Sequence, residues 1–223
     1  MDEKMKEEIA KIGEGIYTAP DVSRIFKIPY PKAKYWFKYY VRKRLFDTIG
    51  YRYYFPIKNT IAVNFLSLIE MYVFFKLKER NIKSSDIIKM HTQMSKYLNT
   101  PYPFALQDFY ISGKTIYFGR IDSLVEASDA YQAFIPDFIN QFIEKITFDD
   151  KRLARKFYPL GKDKSVVLNP ENQCGQPTID GTNILTATLF EYYKGKESIE
   201  TIAKLFDLSV ENVREAIEFH QAA

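Results

Sequence analysis

The chain has 223 residues, of which 46% are hydrophobic and 16% aromatic, and its formal net charge is +4. This composition excludes a wholly disordered chain, and the length suffices for one large domain or a few small ones. A single cysteine excludes an internal disulfide, and the charged first residues lack the apolar core of a signal peptide. The longest apolar stretch is too short and too interrupted to span a bilayer, so we expect a cytoplasmic protein without a membrane segment.

The positive charge is concentrated near one end. Residues 24–58 hold ten basic side chains against one acidic side chain, a local net charge of +9. Because the whole chain carries only +4, the remainder carries −5. A positive field on a mildly acidic body favours a polyanionic partner at one end and a different partner at the other.

The first predicted helix follows Thr18, a residue typical of a helix N-cap, and it ends at Ile28-Pro29. The segment 29–44 then predicts a second helix that starts near Pro31. Its apolar positions form one face, and Lys34, Lys38 and Arg42 stack four residues apart on another. With no acidic residue in the segment, this cationic face either contacts phosphates or is simply solvated.

The aromatic run 46–56, with Gly50 in it, predicts a β-hairpin, or wing, with Arg52 and Lys58 at or beside its tip. The order Tyr17-Thr18, Ile28-Pro29, Tyr35-Trp36 and aromatic hairpin resembles the winged helix-turn-helix of MerR-type regulators. This resemblance implies that the second helix enters the major groove of duplex DNA and that the wing contacts its backbone. The DNA-facing residues that it implies are Lys32, Lys34, Tyr35, Lys38 and Arg42 on the helix and Arg52 on the wing.

Residues 62–80 predict a helix that is apolar nearly all round. Such a helix must be buried on more than one side. Two interpretations stay open: a central core helix, or a helix that packs internally on one side and against a second subunit on the other. The second interpretation predicts a homodimer.

The rest of the middle region mixes helices and short strands. A helix capped by Ser84 or Ser85 is expected to reach Leu98, with His91 on its packed stripe. The two histidines, His91 and His220, are too few to assemble a metal cluster, so no metal or other cofactor is expected. The further predictions are a hairpin around Gly113, a strand at 124–127, a helix at 131–146 and a polar connection at 147–164.

The C-terminal residues predict a second helix-turn-helix after two short extended pieces. The predicted helices run from Ile184 to Tyr193, from a Ser198 cap and from a Ser209 cap. The segment resembles the family of domains of unknown function numbered 433. The matching residues are Val166-Val167, Asn169-Pro170, Gly175-Gln176-Pro177, Gly181-Thr182, Ser198, Glu200, Ile202, Ala203, Phe206, Leu208, Ser209, Val213 and Ala216. Cys174 stands where members usually have an aromatic residue, and we interpret it as a packing residue.

Members of that family are similar to VapB-like antitoxins of type II toxin–antitoxin pairs, whose toxins carry PIN-type nuclease domains.

The charge of the C-terminal helices supports a separate inference. From Lys196 onwards the chain has three basic and six acidic residues, a net charge of −3. Carboxylates on the would-be recognition helix oppose a phosphate-lined groove, so Glu211, Glu215 and Glu218 are predicted to bind a protein partner, or else simply to be solvated.

We therefore predict a mainly α protein with small β-hairpins in three parts: a winged helix-turn-helix at 1–60, a helical and hairpin middle at 61–158, and a helix-turn-helix (homeodomain-like or winged) domain at 159–223. The predicted function is a DNA-binding antitoxin that neutralises a PIN-type ribonuclease and represses its own operon. The alternatives are a MerR-like regulator whose middle region senses a ligand, and an interaction scaffold. No catalytic constellation is found, since the pair Asp149-Asp150 lies among basic residues in a predicted loop, so an enzyme is not expected.

Overall fold

The computed structural model describes residues 13–38, 41, 51–107 and 144–221, and the backbone of three short strands between the last two ranges. In this part the fold is mainly helical with small antiparallel strand pairs, as predicted. The helices are α1 Ala19–Phe26, α2 Tyr30–Trp36, α3 Phe65–Glu79, α4 Ser84–Tyr97, α5 Thr186–Lys194, α6 Ile199–Phe206 and α7 Val210–Gln221. The strands are β1 Phe55–Ile57, β2 Thr60–Ala62, β3 Phe109–Ser112, β4 Thr115–Phe118, β5 Val125–Glu126, β6 Ile146–Phe148, β7 Ala154–Phe157, β8 Val166–Val167 and β9 Thr178–Ile179.

Helix α1 begins where the sequence predicts because Thr18 and Asp21 form a capping box. The backbone N–H of Thr18 donates to Asp21 Oδ2 at 2.9 Å, and the Thr18 hydroxyl donates to the same oxygen at 2.6 Å. The helix ends at Lys27, whose φ of 55° is left-handed, and the N–H of Ile28 donates to the Ser23 carbonyl at 3.1 Å. After Pro29 comes α2, which residues 37, 38 and 41 continue as a wider, π-type turn.

The hairpin after α2 lies further along the chain than predicted. Ile57 pairs with Thr60, so the turn of this hairpin is Lys58-Asn59. Residues 46–50 of the predicted wing lie outside the described residues, and Arg52 precedes the hairpin instead of lying at its tip. The aromatic run has another role, because the rings of Tyr51 and Tyr53 pack against Tyr102 with centroid distances of 5.5 and 5.7 Å.

Helix α3 is the central element of the main core. Its Phe75 ring lies 6.3 Å from Phe26 and 5.3 Å from Trp36, so both helices of the first pair pack on it. Phe74 and Phe75 are only 6% and 5% exposed in the single chain. The core-helix interpretation is therefore confirmed, and the expectation of a free face for a second subunit is wrong. A homodimer stays a prediction that needs another surface. Neither α3 nor any other helix in the described residues is long and apolar enough to cross a membrane.

His91 on α4 is a packed core histidine, as predicted. Its Nε2 lies 2.7 Å from Glu70 Oε2 on α3, and both side chains are buried. Glu70 Oε1 accepts the backbone N–H groups of Phe104 and Ala105 at 2.8 and 3.0 Å. Burial raises the pKa of Glu70, and His91 partly opposes that shift. The pair thus fastens α4 and the 103–105 turn to α3.

The stretch 147–164, which we predicted as a polar connection, contains strands instead. Strands β6 and β7 pair around a turn in which Asp149 Oδ1 accepts the backbone N–H groups of Lys151 and Leu153, both at 2.9 Å. Asp149 is thus a turn-forming residue. The predicted hairpin is confirmed by the pairing of Ser112 with Thr115, and β5 confirms the strand near 125. The helix predicted at 131–146 lies outside the described residues up to 143, and residue 146 begins β6.

Helices α5, α6 and α7 enclose a second, smaller core. Its buried residues are Ile179, Leu189, Ile202, Ala203, Val213, Ala216 and Ile217. Ser198 caps α6 by accepting the N–H of Thr201 at 3.1 Å, and α6 ends at Asp207 with a left-handed φ of 53°. The N–H of Leu208 then donates to the Ala203 carbonyl at 2.9 Å. This turn has the same geometry as the turn between α1 and α2.

Candidate functional site

A groove runs between the start of α1, helix α2 and the β1–β2 hairpin, with a volume of about 650 Å³. Tyr30 and Tyr54 also line it, and none of its described lining residues is acidic. Its cationic lining residues are Lys34, Lys38, Arg52 and Lys58. A concave surface that combines cations with aromatic rings is typical of nucleic-acid binding.

Local structure places each of these cations. Lys34 and Lys38 lie one helical turn apart, and they face outward because Ala33 and Trp36 are buried on the opposite side of α2. The Arg52 guanidinium lies 4.8 Å from the ring centroid of Tyr54, which holds it by a cation–π contact. Lys58 occupies the left-handed position of the hairpin turn, opposite α2.

Three of the six predicted DNA-binding residues, Lys34, Lys38 and Arg52, come together in the groove. Lys32 lies on another face, with its ammonium 4.7 Å from the ring centroid of Phe75. Tyr35 is 50% exposed but does not line the groove. Arg42 is outside the described residues.

Sequence reasoning did not name Tyr30, Tyr54 or Lys58 as site residues, although it placed Lys58 at or beside the tip of the predicted wing. One signal could have found Lys58, because asparagine tolerates turn geometry and Lys58-Asn59 is therefore a plausible hairpin turn. The two tyrosines carried no such signal, since the sequence holds 17 tyrosines and their exposure depends on the tertiary fold.

The C-terminal helix α7 presents two of its three predicted partner-binding carboxylates to solvent. Glu211 and Glu218 are exposed, and Glu211 lies 3.5 Å from Arg214. The expectation that Glu215 is exposed is wrong, since this residue is 5% exposed. Helical spacing places Glu215 on the same face of α7 as Glu211 and Glu218, but the segment before β8 covers that position.

Glu215 is a structural carboxylate. Its Oε2 accepts hydrogen bonds from the backbone N–H and the hydroxyl of Ser165 at 2.7 and 2.6 Å, and Lys164 Nζ lies 3.2 Å from Oε1. Burial alone would raise the pKa of Glu215, but the hydrogen bonds from Ser165 and Lys164 outweigh it and lower that pKa. The exposed charge of the C-terminal helices is therefore less negative than the sequence count indicates.

The C-terminal segment is joined to the N-terminal one by direct hydrogen bonds. The Tyr17 hydroxyl donates to the backbone carbonyl of Gly175 at 2.9 Å, and the N–H of Ile16 donates to that of Cys174 at 2.9 Å. Gln176 Nε2 donates to the Ile16 carbonyl at 3.1 Å. Cys174 takes part through its backbone while its side chain is exposed, so our interpretation of it as a packing residue is wrong.

A second contact joins the same two regions at the last turn of α7. Lys27 Nζ donates to the backbone carbonyl of Phe219 and lies 4.3 Å from its ring centroid. Phe219 is fully buried and belongs to the main core, not to the smaller one. Next to it, His220 Nε2 lies 3.0 Å from the Thr186 hydroxyl. The Thr186 hydroxyl also donates to the Pro177 carbonyl at 3.2 Å, so this hydroxyl links the last turn of α7 to the segment before β9.

Comparisons with known proteins agree with part of this picture. The model of the family described as "Protein of unknown function (DUF433)" matches residues 166–220, which confirms the resemblance predicted for the C-terminal segment. The chain is 21% identical over 176 residues to a protein named "Putative antitoxin VapB45" from Mycobacterium tuberculosis (strain ATCC 25618 / H37Rv), covering 73% of each chain. The X-ray crystal structure of Rv2018 from Mycobacterium tuberculosis matches with a TM-score of 0.67 at 18% identity, covering 90% of this chain and 96% of that one, so the two share a fold.

Proposed function

We propose that this chain is the antitoxin of a type II toxin–antitoxin pair, with a binding and not a catalytic role. It binds duplex DNA at its own operator through the groove, and it neutralises a PIN-type ribonuclease through its C-terminal helices. The observation that carries the proposal is that two helix pairs, α1–α2 (the first pair) and α6–α7 (the second pair), expose opposite charge. Cations line the groove beside α2, whereas α7 exposes Glu211 and Glu218. Similarity to a protein named as a putative antitoxin supports the partner class.

The affinity of the groove for duplex DNA should depend strongly on salt concentration. If about six phosphates are contacted, the logarithm of affinity should fall with the logarithm of salt concentration at a slope of about −5. Each groove cation that contacts a phosphate contributes about 0.9 to that slope, so the double variant Lys34→Gln/Lys58→Gln should reduce it by about 2. Fluorescence anisotropy of the full chain with the DNA upstream of its own operon measures both quantities. Binding that does not respond to salt would reject this part of the proposal.

The toxin-binding part concerns the acidic surface of α7. A ribonuclease needs a basic RNA-binding surface, and exposed carboxylates steer association with such a surface. Charge reversal at Glu211 and Glu218 should slow association with the cognate PIN-type toxin. Glu191→Lys is the matched control, because Glu191 is an exposed acid on α5 that is paired with Lys194 at 2.7 Å. Surface plasmon resonance at two salt concentrations measures the association rate, and equal rates for all variants would rule out the α7 surface.

These experiments should use the full chain. The proposed boundaries at 60/61 and 158/159 are both crossed by contacts, since β2 spans the first and the Tyr17–Gly175 hydrogen bond crosses both. Isolated fragments would therefore expose buried apolar surface. Point variants at surface residues separate the two surfaces within the intact chain.

One observation favours the alternative of a ligand-sensing MerR-like regulator. A cavity of about 260 Å³ lies between the middle region and its neighbours, and Tyr51, Asn64 and Tyr102 contribute to its wall. The Tyr102 hydroxyl lies 3.1 Å from that of Tyr51 and accepts from Asn64 Nδ2 at 3.0 Å. Toxicity assays discriminate the two functions: an antitoxin restores growth to cells that express the neighbouring gene, whereas a stand-alone regulator does not.

A further inference from the structure

The turn between α1 and α2 is held from outside by the last turn of α7. Lys27 is the residue at which α1 ends, and its left-handed backbone directs the side chain to the Phe219 carbonyl and ring. The last carbonyls of a helix lack intrahelical donors and carry partial negative charge. An ammonium group is therefore a suitable donor at this point of α7.

The contact is charge-assisted at neutral pH. Burial, followed by the neighbouring Arg24, lowers the pKa of Lys27 to about 8, and Glu218 opposes the shift. The ammonium is thus still mostly protonated at pH 7. Hydrogen bonds from a charged donor are stronger than neutral ones, so this contact constrains the turn more than apolar packing alone would.

The turn between α1 and α2 leads directly into the groove. Only Ile28 and Pro29 separate Lys27 from the first residue of α2. Ile28 is buried, and its carbonyl accepts the Ser23 hydroxyl at 2.7 Å, so the turn has little freedom of its own. A displacement of Lys27 would therefore move α2, and with it Lys34 and Lys38, relative to Lys58 on the opposite wall.

We propose that Lys27 is a positioning residue, through which the last turn of α7 sets the placement of α2 in the groove. This inference rests on the proposed function for its consequence, since the groove is the nucleic-acid surface proposed above. Lys27 itself contacts no phosphate. Through this contact, the C-terminal helix α7 helps to fix the position of α2 in the wall of the groove.

Two variants of the full chain test the proposal. Lys27→Met keeps an aliphatic chain over the Phe219 ring and removes the donor. Arg24→Met removes the same unit of charge from α1 and is the matched control. With a duplex from upstream of its own operon, Lys27→Met should weaken binding about three- to tenfold more than Arg24→Met, a range typical of residues that couple sites indirectly. The salt slope should stay that of the unmutated chain, because no phosphate contact is lost.

Hydrogen exchange gives a second readout that does not depend on DNA. The backbone amides of α2 should exchange faster in Lys27→Met than in Arg24→Met, while those of α6 stay unchanged. Equal DNA affinity of the two variants, together with equal α2 exchange, overturns the proposal. A salt slope that drops by about 1 in Lys27→Met also overturns it, because Lys27 would then be a phosphate contact. If the unmutated chain binds no duplex, the proposed function fails, and α2 exchange alone decides the role of Lys27.

Discussion

The two helix pairs of this protein, α1–α2 and α6–α7, have the same turn geometry but different surroundings. Helices α1 and α6 both have eight residues, and they end at left-handed residues, Lys27 with a φ of 55° and Asp207 with a φ of 53°. In both turns the next residue donates its N–H to the carbonyl five positions earlier, at 3.1 and 2.9 Å. The two turns therefore have closely similar backbone geometry, although the helices that follow them differ in length, with seven residues in α2 and twelve in α7.

Their outer surfaces are not interchangeable. The first pair borders a groove with cations and tyrosines, whereas the second exposes Glu211 and Glu218 together with Leu205, which is 59% exposed. A cationic surface suits phosphates, and exposed carboxylates suit the basic surface of a protein partner. The difference teaches that two helices joined by a tight turn do not determine what a surface binds, which depends on the side chains that the rest of the fold leaves uncovered.

The largest expected effect is at the junction between the N-terminal and C-terminal regions, where Tyr17 contacts Gly175. A Cβ at Gly175 would lie 2.1 Å from the Tyr17 hydroxyl oxygen, and the residue has a left-handed φ of 80°. Gly175→Ala should therefore cost at least about 3 kcal/mol of unfolding free energy, measured by urea denaturation. Gly181→Ala is the matched control: φ is 78°, but a Cβ there meets nothing within 4 Å, so only backbone strain of about 1 kcal/mol is expected. Equal losses would mean that the junction does not hold the pairs together.

The next effect separates a structural carboxylate from a surface one on the same helix. Glu215→Gln should lower the unfolding free energy by about 2 kcal/mol, because it weakens hydrogen bonds from Ser165 to a buried charged acceptor. Glu211→Gln should change it by less than about 0.5 kcal/mol, because Glu211 is exposed. Denaturation of both variants in the same buffer makes the comparison. Similar small changes would return Glu215 to the set of candidate partner contacts.

A smaller effect tests which face of α2 belongs to the groove. Lys34→Gln and Lys32→Gln remove the same charge from the same helix, but only Lys34 lines the groove. Lys34→Gln should lower duplex affinity about fivefold and reduce the salt slope by about 0.9. Lys32→Gln should leave the slope unchanged. The reverse result would mean that the opposite face of α2 meets the DNA.

The last effect is a pH dependence that arises at His220, in the second pair. Burial, with Arg24 and Lys27 nearby, lowers the pKa of His220 to about 4. An unfolded chain takes up this proton near pH 6.5, whereas the folded chain does not until about pH 4. The contribution of His220 to stability is therefore fully present above about pH 6.5 and is lost as the pH falls towards 4. The stability difference between the unmutated chain and His220→Gln should shrink over that window, and a difference independent of pH would contradict the shift.

Sequence patterns predicted the elements whose signals are local. The Thr18 N-cap, the all-round apolar pattern of α3 and the Ser198 and Ser209 starts of the last two helices each depend on residues a few positions apart, and the structure has them where expected. Residues 51–54 were misassigned because period and composition do not separate a hairpin strand from an extended segment that packs its tyrosines on the core.

The candidate site was only partly predictable for a similar reason. Helical spacing put Lys34 and Lys38 on one face, but it could not show that Lys58 lies on the opposite wall, since that depends on the register of β1 and β2. The burial of Glu215 likewise depends on Ser165, a residue 50 positions earlier in the sequence. Charge alone could not separate Glu215 from its exposed neighbours.

The contact between Lys27 and Phe219 also has a consequence for synthesis. A ribosome adds about 5–20 residues per second, and these two residues are 192 positions apart, so roughly 10–40 s separate their appearance. During that interval α1 and α2 can form, but the core that contains Phe219 cannot close. The last turn of α7 therefore completes the fold only after translation has passed it, and a nascent chain stays open to proteases until then.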